Sequence, residues 1–566
     1  MAKAVARLRE NRKMKRFTSR IAVLLLTLGL FSYQTISAYG QKVDPASSPL
    51  ACVRFFVDRI NPEESLKRDG SFSYLAVRYW DLGRHEEAFR AASKMTCREL
   101  TMSANFLADR ATREGNLNYA LKFIDLGVGC IKDDDDAADK GRIFSDFTKL
   151  LIELHQDDRA LEVAQLIEDD SSYKPDALAR LAQSSIKARR HEQALTLLDR
   201  AFALARSVED FDEHLQMGAL GSIAEGYTQL QKLELAAAVL SFAQELAENN
   251  EGQSRDRCLS MLASTYANVG QAEKARRLVE SIAPNNSSTL IRLASDYVKR
   301  GDKQRALALL SRATRDIESE IERNAPSNNY LTDIVHVYLQ ADEPQLASLV
   351  LGKINYAFDL RRSALAIADW WFTRGRNDMA ILALDSAAQK IKVIKSEPPE
   401  ELLMRASTSD GLEKARDLSA ISDCYVKLKE YDRARQAIMA IDLPQWKAGK
   451  LAVLAGAMTT TRLRPAALNM LQEALTLSEK AEKRALDKER HETMTAIALG
   501  YARVGNREKS LALFARVLEQ IREFGIDEGL VRLTPMAFHF EESGLRPDRR
   551  IKDVLGAIVR EWSEDG

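Results

Sequence analysis

From about residue 73 onward, apolar residues recur at spacings of three and four, in blocks punctuated by a Gly or a polar residue. One set of anchors repeats through these blocks: a small residue, an aromatic three later, a Gly or polar residue four after that, and an Ala five further on. In LASTYANVGQAEKARRLVESI the anchors are Ala263, Tyr266, Gly270 and Ala275, and in RLASDYVKRGDKQRALALLSRA they are Ala294, Tyr297, Gly301 and Ala306. The spacing predicts an amphipathic helix, a tight turn and a second amphipathic helix. The Gly falls just past the end of the first helix, where left-handed backbone costs least. The two small residues let the helix backbones approach, and the aromatic fills the wedge beside them. A hairpin of this kind cannot bury its apolar face alone, so copies must stack.

With the second-helix small residue as marker, twelve copies read off at Ala88, Ala120, Ala160, Ala194, Ala236, Ala275, Ala306, Ala347, Ala380, Ala434, Ala467 and Ser510. The steps between them mix values near 32–34 with values near 40, so several hairpins must carry helices about two turns longer than the rest. The segment around Ala537, Phe540 and Gly544 reads as a degenerate thirteenth unit that caps an open array. The step of 54 from Ala380 to Ala434 contains Pro398-Pro399, which cannot continue a helix, and then a turn-rich stretch from Ser407 to Gly411. Residues 395–412 therefore read as a linker or insertion. It separates a first array at 73–394 from a second at 413–566 with C-terminal capping helices. Residues 41–72 form a lead-in helix and linker. The acidic run KDDDDAADKG (132–141) lacks the alternating oxygens and the sixth-place Gly of a calcium loop, and reads as a solvated linker that caps the next helix.

On these residues the chain resembles the tetratricopeptide repeat (TPR) family, over nearly all of its length beyond the N-terminal lead. The resemblance implies an all-α, right-handed α-solenoid. It also implies a non-enzymatic protein–protein interaction scaffold whose first helices line a concave face that takes a peptide or protein partner. Places three before, one after and four after the small first-helix anchor point inward in that family. Here they hold Trp80, Asn105, Asp109, Lys149, Gln183, Glu225, Ser264, Ser295, His336, Asp369, Phe372 and Asp423. The successive Lys and Asn with which some members grip a C-terminal carboxylate are missing. Trp371 takes the aromatic anchor place of its repeat, and its neighbour Trp370 reads as a packing residue.

The N-terminal lead has a different character. Residues 1–20 carry eight basic side chains and one acid, and the apolar run IAVLLLTLGLF (21–31) follows. The run is short for a membrane span, and Ala38-Tyr39-Gly40 offers the small residues that a signal peptidase reads. A signal peptide over 1–40, cleaved after Gly40, is expected, with a periplasmic or secreted protein and no integral span in the mature chain. The full chain balances 82 Lys and Arg against 82 Asp and Glu. Removing residues 1–40 takes away eight bases and one acid and leaves a net charge of −7. Neither balance suits a general nucleic-acid binder. Of the five cysteines, Cys52, Cys97, Cys130, Cys258 and Cys424, none forms a CxxC. Cys97 and Cys130 stand at nearly equivalent points of successive repeats and are the pair to consider for a bridge. Two buried thiols are the alternative.

Catalytic chemistry leaves little trace. The seven histidines never reach metal-ligand spacing, and HEEAF and HEQAL lack the second His of a zinc-protease signature. There is no GxSxG, no phosphate-cradling Lys loop, and no Cys with the flanks of a known nucleophile. No catalytic, cofactor-binding or metal residue is assigned. The alternative to a scaffold is an all-α enzyme or glycan-binding protein acting on polysaccharide or cell wall, with paired carboxylates in a groove.

Overall fold

The computed structural model describes residues 44–60, 65–132, 139–207, 212–281, 287–322, 330–393, 410–481 and 487–564. Residues 1–40, which the sequence reads as a signal peptide, the four consecutive Asp at 133–136 and Pro398-Pro399 lie outside them. Among the described residues the chain is all-α, without a strand. It divides into two compact units, one made of Arg59–Leu513 and the other of the segments on either side, up to Asp58 and from Phe514 on.

In the larger unit the helices alternate as first and second members of hairpins. The first helices are α2 (Ser65–Asp81), α4 (Cys97–Arg113), α6 (Lys140–Glu153), α8 (Lys174–Lys187), α10 (Glu213–Gln229) and α12 (Gly252–Asn268). They continue with α14 (Ser287–Lys299), α16 (Tyr330–Gln340), α18 (Ala357–Phe372), α20 (Asp410–Lys427), α22 (Pro444–Ala457) and α24 (Asp487–Arg503). The second helices are α3 (His85–Ala92), α5 (Leu117–Lys132), α7 (Asp157–Gln165), α9 (His191–Ser207), α11 (Leu233–Asn249) and α13 (Ala272–Ser281). They end with α15 (Lys303–Glu322), α17 (Pro344–Leu351), α19 (Asn377–Lys392), α21 (Tyr431–Met439), α23 (Arg464–Ala481) and α25 (Arg507–Arg522), whose last residues belong to the smaller unit.

Each first helix from α2 to α22 packs on its own second helix and on the next first helix, so α2 through α24 form one continuous stack. The stack runs from α18 to α20 without a break, on either side of residues 394–409. All twelve marker residues lie on second helices, and all are buried, as are the small first-helix anchors such as Ala76, Ala224 and Ala498. The two step lengths also have their structural counterpart. Hairpins followed by a short step have second helices of 8–10 residues (α3, α7, α13, α17, α21), and those followed by a long step have 16–20 (α5, α9, α11, α15, α19, α23). The difference is about two helical turns. These features bear out the TPR-like reading.

The turn is the most regular element. In eleven of the twelve hairpins the residue five before the marker has a positive φ: Gly at 83, 115, 270, 301, 375 and 505, and non-Gly at His155, Arg189, Gln231, Asp342 and Lys429. The next residue's N–H then returns to the carbonyl at the aromatic anchor place, as in Gln271 N to Tyr266 O (2.7 Å) and Lys232 N to Tyr227 O (2.8 Å). This bond is the Schellman closure of the first helix. A side chain in left-handed backbone costs roughly 1–2 kcal/mol, part of which Gly returns as extra entropy of the unfolded chain. Arg189, Gln231 and Lys429 are exposed, so replacing them with Gly removes strain and little packing. The triple variant is expected to gain about 2 kcal/mol in urea denaturation. A midpoint at or below that of the wild type would show that the turns are unstrained.

In the smaller unit, α26 (Gly525–Glu542) and α27 (Arg549–Glu564) form the thirteenth hairpin, with Ala537 and Phe540 buried and Gly544 in left-handed backbone. Helix α1 (Pro49–Val57) packs on α26, and the short 3₁₀ turn Pro45–Ser47 before it packs on α27. Leu50, Cys52, Val53, Phe56 and Val57 are buried there, and the Phe56 ring lies 5.3 Å from that of Trp562. Burial pushes the Cys52 thiol up to about 12. The apolar run PLACVRFFV announces a buried helix, but nothing local to it says which distant surface it covers. Asp139, the described residue of the acidic run immediately before α6, makes no side-chain cap bond, and residues 133–138 of the run lie outside the described ones.

Candidate interaction face on the first helices

The polar residues that the sequence points inward join neighbouring first helices. Asn105 Nδ2 on α4 donates to Asp146 on α6 (3.5 Å), and Gln183 Nε2 on α8 to the Ser222 carbonyl on α10 (2.9 Å). Ser264 Oγ on α12 donates to Asp296 on α14 (2.5 Å), and Ser295 Oγ on α14 meets Gln340 on α16 (3.2 Å). Asp423 on α20 pairs with Lys450 on α22 (2.7 Å). These side chains form a polar ladder that runs along the stack and meets the hydrogen-bonding needs of the helices' facing flanks.

The other inward residues divide. Trp80 is core: it is buried, stacks on His85 (4.2 Å between centroids) and donates Nε1–H to Glu114 (2.9 Å). Its place is equivalent to that of Phe372, but the hairpin that follows it offers Tyr119 and Phe123 to enclose the indole. Asp109 is held by Arg113, Lys149 leans on Glu153 (3.9 Å), and the His336 ring bonds back to the Thr332 carbonyl one turn earlier (2.7 Å). Trp370 is half-buried, donating to the Leu339 carbonyl (3.1 Å) beneath the Arg374 guanidinium. Glu225 is half-buried and makes no hydrogen bond among the described residues, and burial followed by the nearby Asp296 raises its carboxyl pKa against the pull of Arg300. Asp369 is exposed and makes no hydrogen bond or ion pair among the described residues.

Large apolar side chains stand on the same face. On α4, Met102 (57% exposed) lies one turn before Asn105, and Phe106 (52%) one turn before Asp109. Tyr74 on α2 is exposed at the place equivalent to Phe106. On α18, Phe372 (47%) follows Asp369 by one turn and Phe358 (46%) precedes it by three, with the Arg361 guanidinium over the Phe358 ring. The small-residue frame selected Phe372 but not Met102, Phe106, Tyr74 or Phe358. For Met102 and Phe106 the spacing of four was the only trace in the sequence.

Two covalent or buried ionic links lie along the stack. Cys97 at the start of α4 and Cys130 near the end of α5 form a disulfide, with Cα atoms 5.4 Å apart. Between α18 and α20, Arg361 Nε meets the buried carboxylate of Asp417 at 3.1 Å, and the second Asp417 oxygen has no partner. Among the described residues, no three His, Cys, Asp or Glu side chains converge as a metal site, and no helix is long and apolar enough to cross a membrane.

No family model matches the chain, and no curated protein is similar to it. Among solved structures, a Podosopora anserina kinesin-light-chain protein with nearly identical TPR-like repeats is 16% identical, with 32% of this chain and 92% of that one covered and a TM-score of 0.24. Ton1535 from Thermococcus onnurineus NA1 is 15% identical over 62% of this chain and 98% of its own, at a TM-score of 0.28. A circular tandem repeat protein with novel repeat topology is 15% identical over 91% and 98%, at 0.16. At such TM-scores the fold assignment rests on the helix pairing described above.

Proposed function

We propose that this protein is an exported, non-enzymatic scaffold that holds a peptide or protein partner along the ladder face of its first helices. The observation that carries the reading is the set of aromatic and Met side chains exposed on that face beside a polar ladder whose members mostly pair with one another. Clustered exposed apolar surface of this kind marks interaction sites, and Met and aromatics dominate the energetics of such surfaces. The Cys97–Cys130 disulfide supports an oxidising compartment, in line with the signal-peptide pattern of residues 1–40.

The test is quantitative capture from envelope and secreted extracts with the wild type and two surface variants, Met102→Asp/Phe106→Asp and Phe358→Asp/Phe372→Asp. A partner held stoichiometrically by the wild type and depleted at least tenfold by one variant is expected. Equal retention by both variants removes this face from the proposal. Intact-mass analysis of the exported chain is expected to show a start at Gln41, and a cytoplasmic chain with free thiols contradicts export. One observation favours a second reading as a polysaccharide-acting enzyme: the unpaired, raised carboxyl of Glu225 close to Asp296. Hydrolysis of a cell-wall polysaccharide that Glu225→Gln abolishes would decide for it.

A further inference from the structure

Three consecutive first helices bring basic side chains together, and among the described residues neither arginine of the group forms an ion pair. His214 lies in the first turn of α10, Arg257 on α12 and Arg292 on α14. Small residues permit the approach: a Cβ on Gly221 of α10 would stand 2.9 Å from Thr265 Oγ1 of α12. Arg257 Nη1 meets His214 Nε2. Because a guanidinium can only donate, Nε2 accepts, and the other ring nitrogen is left as a donor.

Arg292 is half-buried, its Nε is closed off from solvent, and that Nε finds no acceptor. Burial, aided by repulsion from Arg257, lowers its pKa despite the attraction of Asp296. Neither guanidinium has a carboxylate within ion-pairing distance among the described residues, whereas Arg110, Arg180 and Arg361 on the same stack each have one. The nearby acids are engaged or apart. Asp296 takes Ser264 Oγ at 2.5 Å and Lys299 at 3.4 Å, Asp212 accepts from the His214 and Leu215 N–H groups, and Glu213 pairs with neither arginine.

Two neighbouring cations that pair with no carboxylate destabilise a fold, and a desolvated guanidinium with a free N–H is an uncompensated cost. Such an arrangement is relieved by an anion. A planar carboxylate is satisfied by the fork of a single arginine. Donors arriving from three helices suit an anion with oxygens in several directions. We propose that His214, Arg257 and Arg292 form a binding site for a tetrahedral phosphate-type oxyanion, either as the free ion or as the phosphoryl group of a monoester. The site is independent of the partner-binding reading above.

The test is calorimetric titration of the full chain with inorganic phosphate and with glycerol 2-phosphate at constant ionic strength, with chloride as the control. Saturable one-to-one binding that chloride does not reproduce is expected, weakened at least tenfold by Arg257→Gln and by Arg292→Gln. Arg257 is exposed, so its variant keeps the fold. Comparable affinities for the two probes assign the site to the free ion, and tenfold tighter binding of the monoester assigns it to a phosphorylated ligand. In phosphate-free buffer, Arg292→Met is expected to melt at or above the wild-type temperature, because it removes an unpaired desolvated charge. A lower melting temperature for that variant, no saturable binding of either probe, or binding unchanged in both Gln variants overturns the proposal.

Discussion

Replacing Cys97 and Cys130 together with Ser is expected to lower the unfolding free energy of the stack by about 3–4 kcal/mol. The bridge spans 33 residues and clamps the first turn of α4 to the end of α5, so its loss frees the whole hairpin loop in the unfolded chain. In a stacked array each hairpin contacts only its neighbours, and the weakened unit is therefore expected to open first. Urea denaturation checks the magnitude, with hydrogen exchange over α4 and α5 locating the opening. Reductant should bring the wild type to the level of the variant. A loss below about 1 kcal/mol would show that helix packing already fixes these ends. The effect bears on function, because Met102 and Phe106 stand on α4.

Asp417→Asn is expected to stabilise the protein at neutral pH. Burial pushes the Asp417 carboxyl up to about 6 from 3.8, although the Arg361 guanidinium pulls it down. As pH rises from about 4 to 6, the unfolded chain gives up this proton while the folded chain keeps it. Stability from this group therefore falls across that window and stays low above it. At about 1.4 kcal/mol per pKa unit, the ionised carboxylate costs the fold about 3 kcal/mol at pH 7. The Asn variant, which can still accept from Arg361, should recover about 2–3 kcal/mol at pH 7 and nothing at pH 4. An equal difference at both pH values would show that Asp417 titrates normally. Arg361→Met should act in the opposite direction, because it strands the buried carboxylate without its counter-charge.

Much of the architecture was legible in the chain. Ala263, Tyr266, Gly270 and Ala275 each act within about a turn or two of one another, so their spacing already specifies where a helix ends, where it turns back and how closely the two helices can lie. The alternation of short and long second helices followed from marker spacing for the same reason, since every added turn consumes residues in the chain. The candidate face was legible in part. Asn105, Gln183, Ser264 and Asp423 share a register, and all four reach the next first helix. Trp80 shares its repeat position with Phe372, and register alone could not separate them. One meets an aromatic cage from the next hairpin, and the other meets solvent.

By itself, the sequence determined the repeating hairpin, its turn and its stacking faces, because those depend on contacts between residues a few positions apart. Only the tertiary structure decided which polar groups pair across first helices, that Arg257 and Arg292 form no ion pair among the described residues, that Cys97 and Cys130 are joined, and that α1 covers the thirteenth hairpin. Those outcomes depend on contacts between residues some thirty to five hundred positions apart, and such contacts exist only once the intervening helices have been placed.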